Sequence, residues 1–366
     1  MRTGEKPRVV HIVVAGEIGG AERMVCALAA SEAVTAAEHS IALLTPNRGL
    51  ARLLRDGGLR VHERGRVREG PLPFLWQALG PRDVSWVAGI LSHERADVVH
   101  LHTFGSQVLG TRAALRCGSR ILRTEHSTRA FVDPSCWPFS RWSLRRSDAS
   151  AAISEHVRDV ALARAPWAAT TMRVIPNGVD VNRFAPRADW PGGAFRLVLV
   201  GRLEPRKGID LALEALARVP GAHLDVVGDG VERSALERMS RALGLDGRVR
   251  FLGYRGDTRE IVAQAHGALC SSRAEGLGVA LLEAMALARP VIGFAVGGVP
   301  EIVEDEKSGL LSPAGDVAAL AARLRAAARS MERLKTLGLA ARATVVERFS
   351  LNAMCAAYAS AYRALA

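Results

Sequence analysis

Short β-rich apolar runs alternate with longer helical patterns along this chain, and the alternation breaks once and then restarts. "RVVHIVVAG" (8–16) leads into helical "AERMVCALAASEA", and "HSIALLTP" (39–46) into helical "GLARLLRDGG". "RADVVHLHT" (95–103), "SRILRTEH" (119–126) and "ASAAISEH" (149–156) continue the series. Near-continuous apolar strands separated by helices read as a parallel sheet covered on both faces, because parallel neighbours need a crossover connection. The break is "RVIPNGVDVNRFAPRADWPGG" (173–193), whose Pro, Gly, Asn and Asp read as an interdomain linker. "FRLVLVGRL" (195–203), "AHLDVVGDG" (222–230), "RVRFLG" (248–253), "GALCSS" (267–272) and "PVIGFAVGG" (290–298) then supply a second set of strands with helices between them. The last 50 residues are almost wholly helical. The expectation is an α/β protein of two parallel-sheet domains, with ligands in a cleft at the carboxyl ends of the strands.

At 366 residues the chain suits two domains, and 49% hydrophobic residues suffice for full cores. No stretch approaches the roughly 18 uncharged apolar residues of a membrane span. The N-terminal apolar run soon meets Glu17, which fits a first strand and not a signal peptide. Five cysteines, at 26, 117, 136, 270 and 355, lack any CxxC spacing. They read as free thiols of a reducing, cytoplasmic setting. Residues 1–187 carry 26 Lys and Arg against 17 Asp and Glu, and the remainder 23 against 20. The basic half can attract phosphate or an anionic membrane surface, or be a solvated Arg-rich face. No RNP motif, zinc finger or helix-turn-helix pattern points to nucleic acid.

Four stretches carry candidate chemistry. "VAGEIGGAERMV" (14–25) ends a strand in Gly19-Gly20 before a helix, where backbone can approach a phosphate; it is not G-x-G-x-x-G, and a plain turn reads equally well. "VVHLHT" (98–103) puts His100 and His102 on one face at a strand end, and His126 ends the next strand. No third ligand stands at a metal-binding spacing. "LVLVGRLEPRKGID" (197–210) places Arg202 and Lys207 in a turn after a strand, suited to a diphosphate. In "SSRAEGLGVALLEAMALARPV" (271–291), Gly276 and Gly278 permit close approach to an anion at a helix start. Glu275 precedes that helix, and Glu283 stands within it among Val, Ala, Leu and Met. A carboxylate there needs a partner: a buried arginine, or both hydroxyls of a ribose.

The motifs "GGAER" (19–23), "DVVHLH" (97–102), "VIPNGVD" (174–180), "VGRLEPRKG" (200–208), "VGDG" (227–230), "RFLGY" (250–254), the E-x7-E pair Glu275–Glu283, "GGVPEIV" (297–303) and "SGLL" (308–311) cover nearly the whole chain. Together they resemble the retaining glycosyltransferases of family 4, of GT-B fold, with two Rossmann-like domains facing across a cleft. The resemblance implies an acceptor-binding domain over 1–180, joined by a final helix at about 346–366. It implies a nucleotide-sugar domain over 181–345. Arg202 and Lys207 would hold the donor diphosphate, Glu283 its ribose and Glu275 the sugar hydroxyls. His102 would line the reacting centre, and the donor-binding set would include Gly19, Gly20, Gly253, Tyr254, Gly276, Leu277, Gly278 and Val279. His100 and His126 stand on the acceptor side. Leu277 and Ala288 depart from the family's frequent Phe and Gly, which bears on donor identity.

The expected reaction is sugar transfer, with retention, from a nucleotide diphosphate sugar (UDP-sugar first) to a hydroxyl acceptor. No metal or cofactor is demanded, because side-chain cations and a helix start can neutralise the leaving diphosphate. The rivals are a nucleotide-sugar epimerase and a non-catalytic nucleotide-sugar-binding subunit. The acceptor is left open between lipid-linked, oligosaccharide and small-metabolite classes. "CWPFSRWSLRR" (136–146) suits peripheral contact with the inner face of the cell membrane, or a core wall.

Overall fold

A computed structural model describes residues 6–14, 20–30, 37–64 and 80–366. Its packing divides the chain into Met1–Gly178 with Leu351–Ala366, and Val179–Ser350. Among the described residues the first unit has seven strands: β1 (Arg8–Val13), β2 (Glu38–Leu43), β3 (Arg60–Glu63), β4 (Val98–Leu101), β5 (Arg120–Glu125), β6 (Ala149–Ala152) and β7 (Met172–Val174). All neighbours are parallel, in the order β3-β2-β1-β4-β5-β6-β7. The order reverses between β1 and β4, so the connections leave toward opposite faces there and open a crevice at the carboxyl ends.

Local chemistry fixes the elements beside that crevice. Thr103 and Ser106 form a reciprocal cap on the helix Phe104–Cys117, and Gly118 ends it at φ 70°. That helix lies hard on the sheet: a Cβ on Gly110 would sit 2.4 Å from Leu101 Cδ2. On one face of the sheet, the helix Leu351–Leu365 buries Met354, Cys355, Tyr358 and Tyr362 against Val9, Val98 and Leu122. Each such large side chain contributes about 1.5–3 kcal/mol of gross burial. The tyrosine hydroxyls cannot stay unpaired at that depth. Tyr362 Oη lies 2.7 Å from His100 Nδ1, and Tyr358 Oη 2.9 Å from Thr124 Oγ1, which is itself 2.7 Å from His100 Nε2.

The second unit has β8 (Arg196–Val200), β9 (His223–Val227), β10 (Val249–Gly253), β11 (Gly267–Cys270), β12 (Val291–Phe294) and β13 (Gly309–Ser312) among the described residues. They are parallel in the order β10-β9-β8-β11-β12-β13, with the reversal between β8 and β11. Val179 pairs with Ser350, so the chain enters and leaves this unit side by side. Loops at the carboxyl ends touch through backbone: a Cβ on Gly208 would lie 2.1 Å from Ser271 O, at a φ of 58° that already favours glycine. Ala288 takes φ 57° just after the helix Val279–Ala286, where a glycine would be unstrained. Among the described residues no helix is long and apolar enough to cross a membrane.

Three strands went unread in the sequence: β3, β7 and β13. Each is three or four residues long and lies at a sheet edge. An edge strand pairs on one side only. β7 therefore occupies the start of the stretch expected to be linker.

Tyr362→Phe keeps the ring and strands His100 Nδ1 inside the core. Chemical denaturation is expected to show a loss of about 1–3 kcal/mol. Tyr358→Phe should cost less, since Thr124 keeps its contact with His100.

Candidate active site

In the second unit, the loops after β8 and β11 flank the reversal point and are bonded to each other. Arg273 N donates to Arg206 O at 2.8 Å, and Ser271 Oγ to Lys207 O at 3.1 Å. The turn Pro205–Lys207 thereby aims Lys207 Nζ at Glu275 Oε2, 2.6 Å away. Ser272 Oγ donates to the same oxygen at 3.2 Å. Burial alone would raise the Glu275 carboxyl; Lys207, through charge and hydrogen bond, with Arg206 and Ser272, holds it below the ordinary carboxylate value. It is a carboxylate with a cation beside it. Arg202 is exposed on the same loop.

Gly278, at φ 91°, starts the helix Val279–Ala286 with no side-chain cap, leaving its first N–H groups to other acceptors. Gly276 and Val279 flank it half-buried, Leu277 is buried, and Glu283 is half-buried within the helix. On the far side of β8, Gly228 N donates to Gly253 O at 2.9 Å, and exposed Tyr254 follows. The structure thus brings Arg202, Lys207, Glu275, Gly276, Gly278 and Glu283 onto two neighbouring loops and the helix they lead into. Cys270 ends β11 behind them; burial, with Glu275 nearby, pushes its thiol up to about 11, so it is inert.

The first unit gathers histidines at its own reversal point. His102 follows β4, its backbone N donating to Ser106 Oγ at 3.0 Å, so the helix cap also positions this residue. His102 Nε2 lies 2.9 Å from His11 Nδ1, and His11 Nε2 2.8 Å from His39 Nδ1. The rings of His100 and His102 are 3.9 Å apart, and those of His102 and His126 5.8 Å. His100, read from the sequence as facing the ligand side, is fully buried beneath the final helix with both nitrogens bonded to core hydroxyls. His102 Nδ1 and both nitrogens of His126 are buried without a protein partner. Of the two glycines expected to support the donor, Gly20 begins the helix Gly20–Ala30, and Gly19 lies outside the described residues.

Burial, followed by neighbouring imidazoles, holds His11, His100 and His102 well below the usual histidine value. Burial alone brings His126 down to about 4. Among the described residues His11, His100 and His102 could hold a metal, offering nitrogens within 4.8 Å of one another. Their present hydrogen bonds account for the cluster as neutral imidazoles. Sequence reading missed His11 and His39, whose signal was their register on adjacent strands. It also missed the buried Arg123–Glu125 pair, braced by Ser140 O at 2.9 Å and Gln107 Nε2 at 3.1 Å. Their i, i+2 spacing on β5 was the available clue.

Two parallel-sheet units of this kind, each with its own reversal point, are the architecture of the GT-B fold. Residues 18–183 match Glycosyltransferase Family 4, and residues 194–330 match Glycosyl transferases group 1. The chain belongs to that family. It is 33% identical over 268 residues to a GDP-mannose-dependent alpha-(1-6)-phosphatidylinositol monomannoside mannosyltransferase of Mycolicibacterium smegmatis, covering 64% of this chain and 68% of that one. It is 32% identical over 210 residues to the lipopolysaccharide core biosynthesis glycosyltransferase LpsE of Rhizobium meliloti, covering 56% of this chain and 60% of that one. In fold it is similar to Anabaena HepE, crystallised with UDP and glucose: TM-score 0.85, 22% identity, 98% of this chain and 100% of that one.

Four histidines kept neutral in the fold make the first unit acid-sensitive. Their folded pKa values lie below the unfolded value of 6.5, so the unfolded chain binds more protons as pH falls. Stability should be full above about 6.5 and fall toward pH 4 by about 1.4 kcal/mol per pH unit for each neutral histidine. Glu275 adds its own loss only below its ordinary value of 4.5. Urea unfolding between pH 7.5 and 5 checks this, and a flat profile would contradict it.

Proposed function

We propose that this glycosyltransferase moves a sugar, with retention, from a nucleotide diphosphate sugar of the UDP class to a hydroxyl acceptor. The observation that carries this reading is the Lys207–Glu275 pair at 2.6 Å, on two loops beside the uncapped start of the helix Val279–Ala286. An arriving diphosphate gives Lys207 a stronger partner than Glu275, and releases the carboxylate to accept bonds from sugar hydroxyls. One contact would thus be exchanged for two, each on a different part of the donor. Arg202 and the start of the helix Val279–Ala286, which has no side-chain cap, complete the anion site, and Glu283 takes the ribose diol. Gly253 and Tyr254 face the base through backbone.

In the transfer, the bond from the sugar's anomeric carbon to the diphosphate oxygen breaks, and the electron pair leaves with the diphosphate. Arg202, Lys207 and the helix start stabilise that charge as it grows. The acceptor oxygen attacks from the same face, and its proton passes to a phosphate oxygen. Retention thus needs no carboxylate base, and side-chain cations supply the positive charge that a metal supplies elsewhere. His102 lines the reacting centre, with His126 toward the acceptor.

UDP is favoured by the HepE complexes, and GDP-mannose is the second reading because a relative at 33% identity is named for it. For the acceptor, we favour a lipid-borne glycan at the inner face of the membrane. The LpsE and phosphatidylinositol mannoside relatives are named for such products. Arg145 and Arg146 stack on Trp167 and Trp142 at 4.4 and 4.7 Å, presenting guanidinium groups on stiff aromatic supports.

Thermal shift and donor turnover with UDP-, GDP-, ADP- and dTDP-sugars, on wild type and Glu283→Ala, test the donor assignment. Each lost ribose bond is worth about 1.5–3 kcal/mol, roughly 10- to 100-fold in affinity. One nucleotide class should stabilise the wild type and not the variant, and NMR of the product anomer reads retention. Binding without turnover, unaffected by Arg202→Ala, would favour a non-catalytic subunit.

A further inference from the structure

The turn that carries Lys207 is tied to the neighbouring loop by each of its carbonyls. Pro205 O accepts from Arg273 Nη1 at 2.9 Å, Arg206 O from Arg273 N at 2.8 Å, and Lys207 O from Ser271 Oγ at 3.1 Å. Arg206 Nη1 returns a longer bond to Ala274 O at 3.4 Å. The turn has no side-chain cap of its own. The Arg273 guanidinium also forks onto Asp210, with Nη1 2.8 Å from Oδ1 and Nη2 2.6 Å from Oδ2. Asp210 lies in the first turn of the helix Ile209–Ala217, which begins where the Lys207 turn ends. One side chain therefore holds both the entry and the exit of that turn, from the loop that also carries Glu275. Its hydrogen bonds keep the Asp210 carboxyl below the ordinary value, so the fork is charge-assisted at neutral pH. Lys207 itself runs over Gly201, where a Cβ would lie 3.3 Å from Lys207 Cε.

We propose that Arg273 and Asp210 are positioning residues which set the distance between Lys207 and Glu275, and so place the Lys207 ammonium for the donor diphosphate. The inference rests on the proposed reading of Lys207 as the cation that meets that diphosphate. Arg273 is 45% exposed and Asp210 33%. An ion pair so open to water contributes little to global stability. What this one fixes is the register of two loops. Without the fork, Arg273 N, Ser271 and Arg206 still attach the turn, but Pro205 and Asp210 lose their side-chain tie to the loop after β11. The turn can then pivot about the remaining bonds, and the ammonium at the end of its long stem moves furthest. A misplacement of about 1 Å, made away from the reacting atoms, already costs up to about 100-fold in rate.

The experiment uses the full chain. Glu275 13Cδ NMR in the free protein reads the pair directly. Burial raises that carboxyl and Lys207 holds it down, so Arg273→Leu, by moving the ammonium away, should raise its titration midpoint above that of the wild type. The same variant should lower kcat with UDP-glucose about tenfold and weaken UDP binding about fivefold, with the urea midpoint little changed. GDP-mannose and GDP replace these probes if the donor screen selects them. Arg273→Lys can keep one of the two contacts, and Asp210→Asn keeps an acceptor without the charge. Both should fall between wild type and Arg273→Leu, and they carry the test if the leucine variant is unstable. In a Lys207→Gln background, Arg273→Leu should weaken UDP by less than about twofold further, because its effect passes through Lys207. An unmoved Glu275 titration, or the full loss of UDP affinity repeated in Lys207→Gln, would overturn the proposal. Lys207→Gln binding UDP and GDP as tightly as the wild type would instead overturn the reading on which it stands, and the Glu275 titration would still report the brace.

Discussion

A parallel sheet places every strand's carboxyl end along one edge, and the connections must cross back over a face to return. Where the winding reverses, between β1 and β4 and again between β8 and β11, the helices that follow the two strands leave toward opposite faces of the sheet. The candidate chemistry of both units follows from this constraint. Arg202 to Lys207 follow β8 and Ser271 to Gly278 follow β11, as His102 follows β4. The glycines between them serve the same geometry. At Gly208 and Gly297 a Cβ would fall 2.1 and 1.8 Å from the carbonyls of Ser271 and Glu275, so the loops could not close with larger residues.

The two units meet opposite electrostatic problems with different residues. The second, in the proposed function, attracts an anion, and it holds paired charges, with Glu275 kept ionised by Lys207. The first buries polar rings on β1 and β4, strands that are otherwise mostly valine, isoleucine and leucine, where an imidazolium would be costly. It solves this with hydroxyls and imidazoles that satisfy one another, using Tyr358 and Tyr362 from the last helix. That helix therefore contributes more than apolar area, because the strands' polar groups depend on its hydroxyls.

Much of this was legible in the sequence because it resides in period and motif. The two runs of alternating strand and helix gave the α/β class, and E-x7-E with "VGRLEPRKG" marked the cation-bearing loops. What escaped depends on the third dimension. β3, β7 and β13 are edge strands, each paired on one side only, and which segments join a sheet at its edge is a matter of pairing that no local run of residues displays. His11 and His39 look like isolated histidines until the register sets β1 between β2 and β4. Arg123 and Glu125 could be seen as an i, i+2 pair, but not that Ser140 and Gln107 would close around them. His100 and His102 share a strand face, yet the final helix seals one and the strand end leaves the other at the rim of the sheet. No pattern within "VVHLHT" distinguishes them.

The neutrality of the histidines and the charge of the Lys207 loop belong to the same chemistry. In the proposed transfer, negative charge accumulates on the diphosphate while positive charge develops on the sugar. Cations help the first and would oppose the second, so a site serving both needs its positive groups confined to the phosphate side. Arg202 and Lys207 lie on a loop of the second unit, whereas the first unit offers imidazoles that burial keeps uncharged. The burial that makes the fold acid-sensitive is also what keeps these imidazoles uncharged.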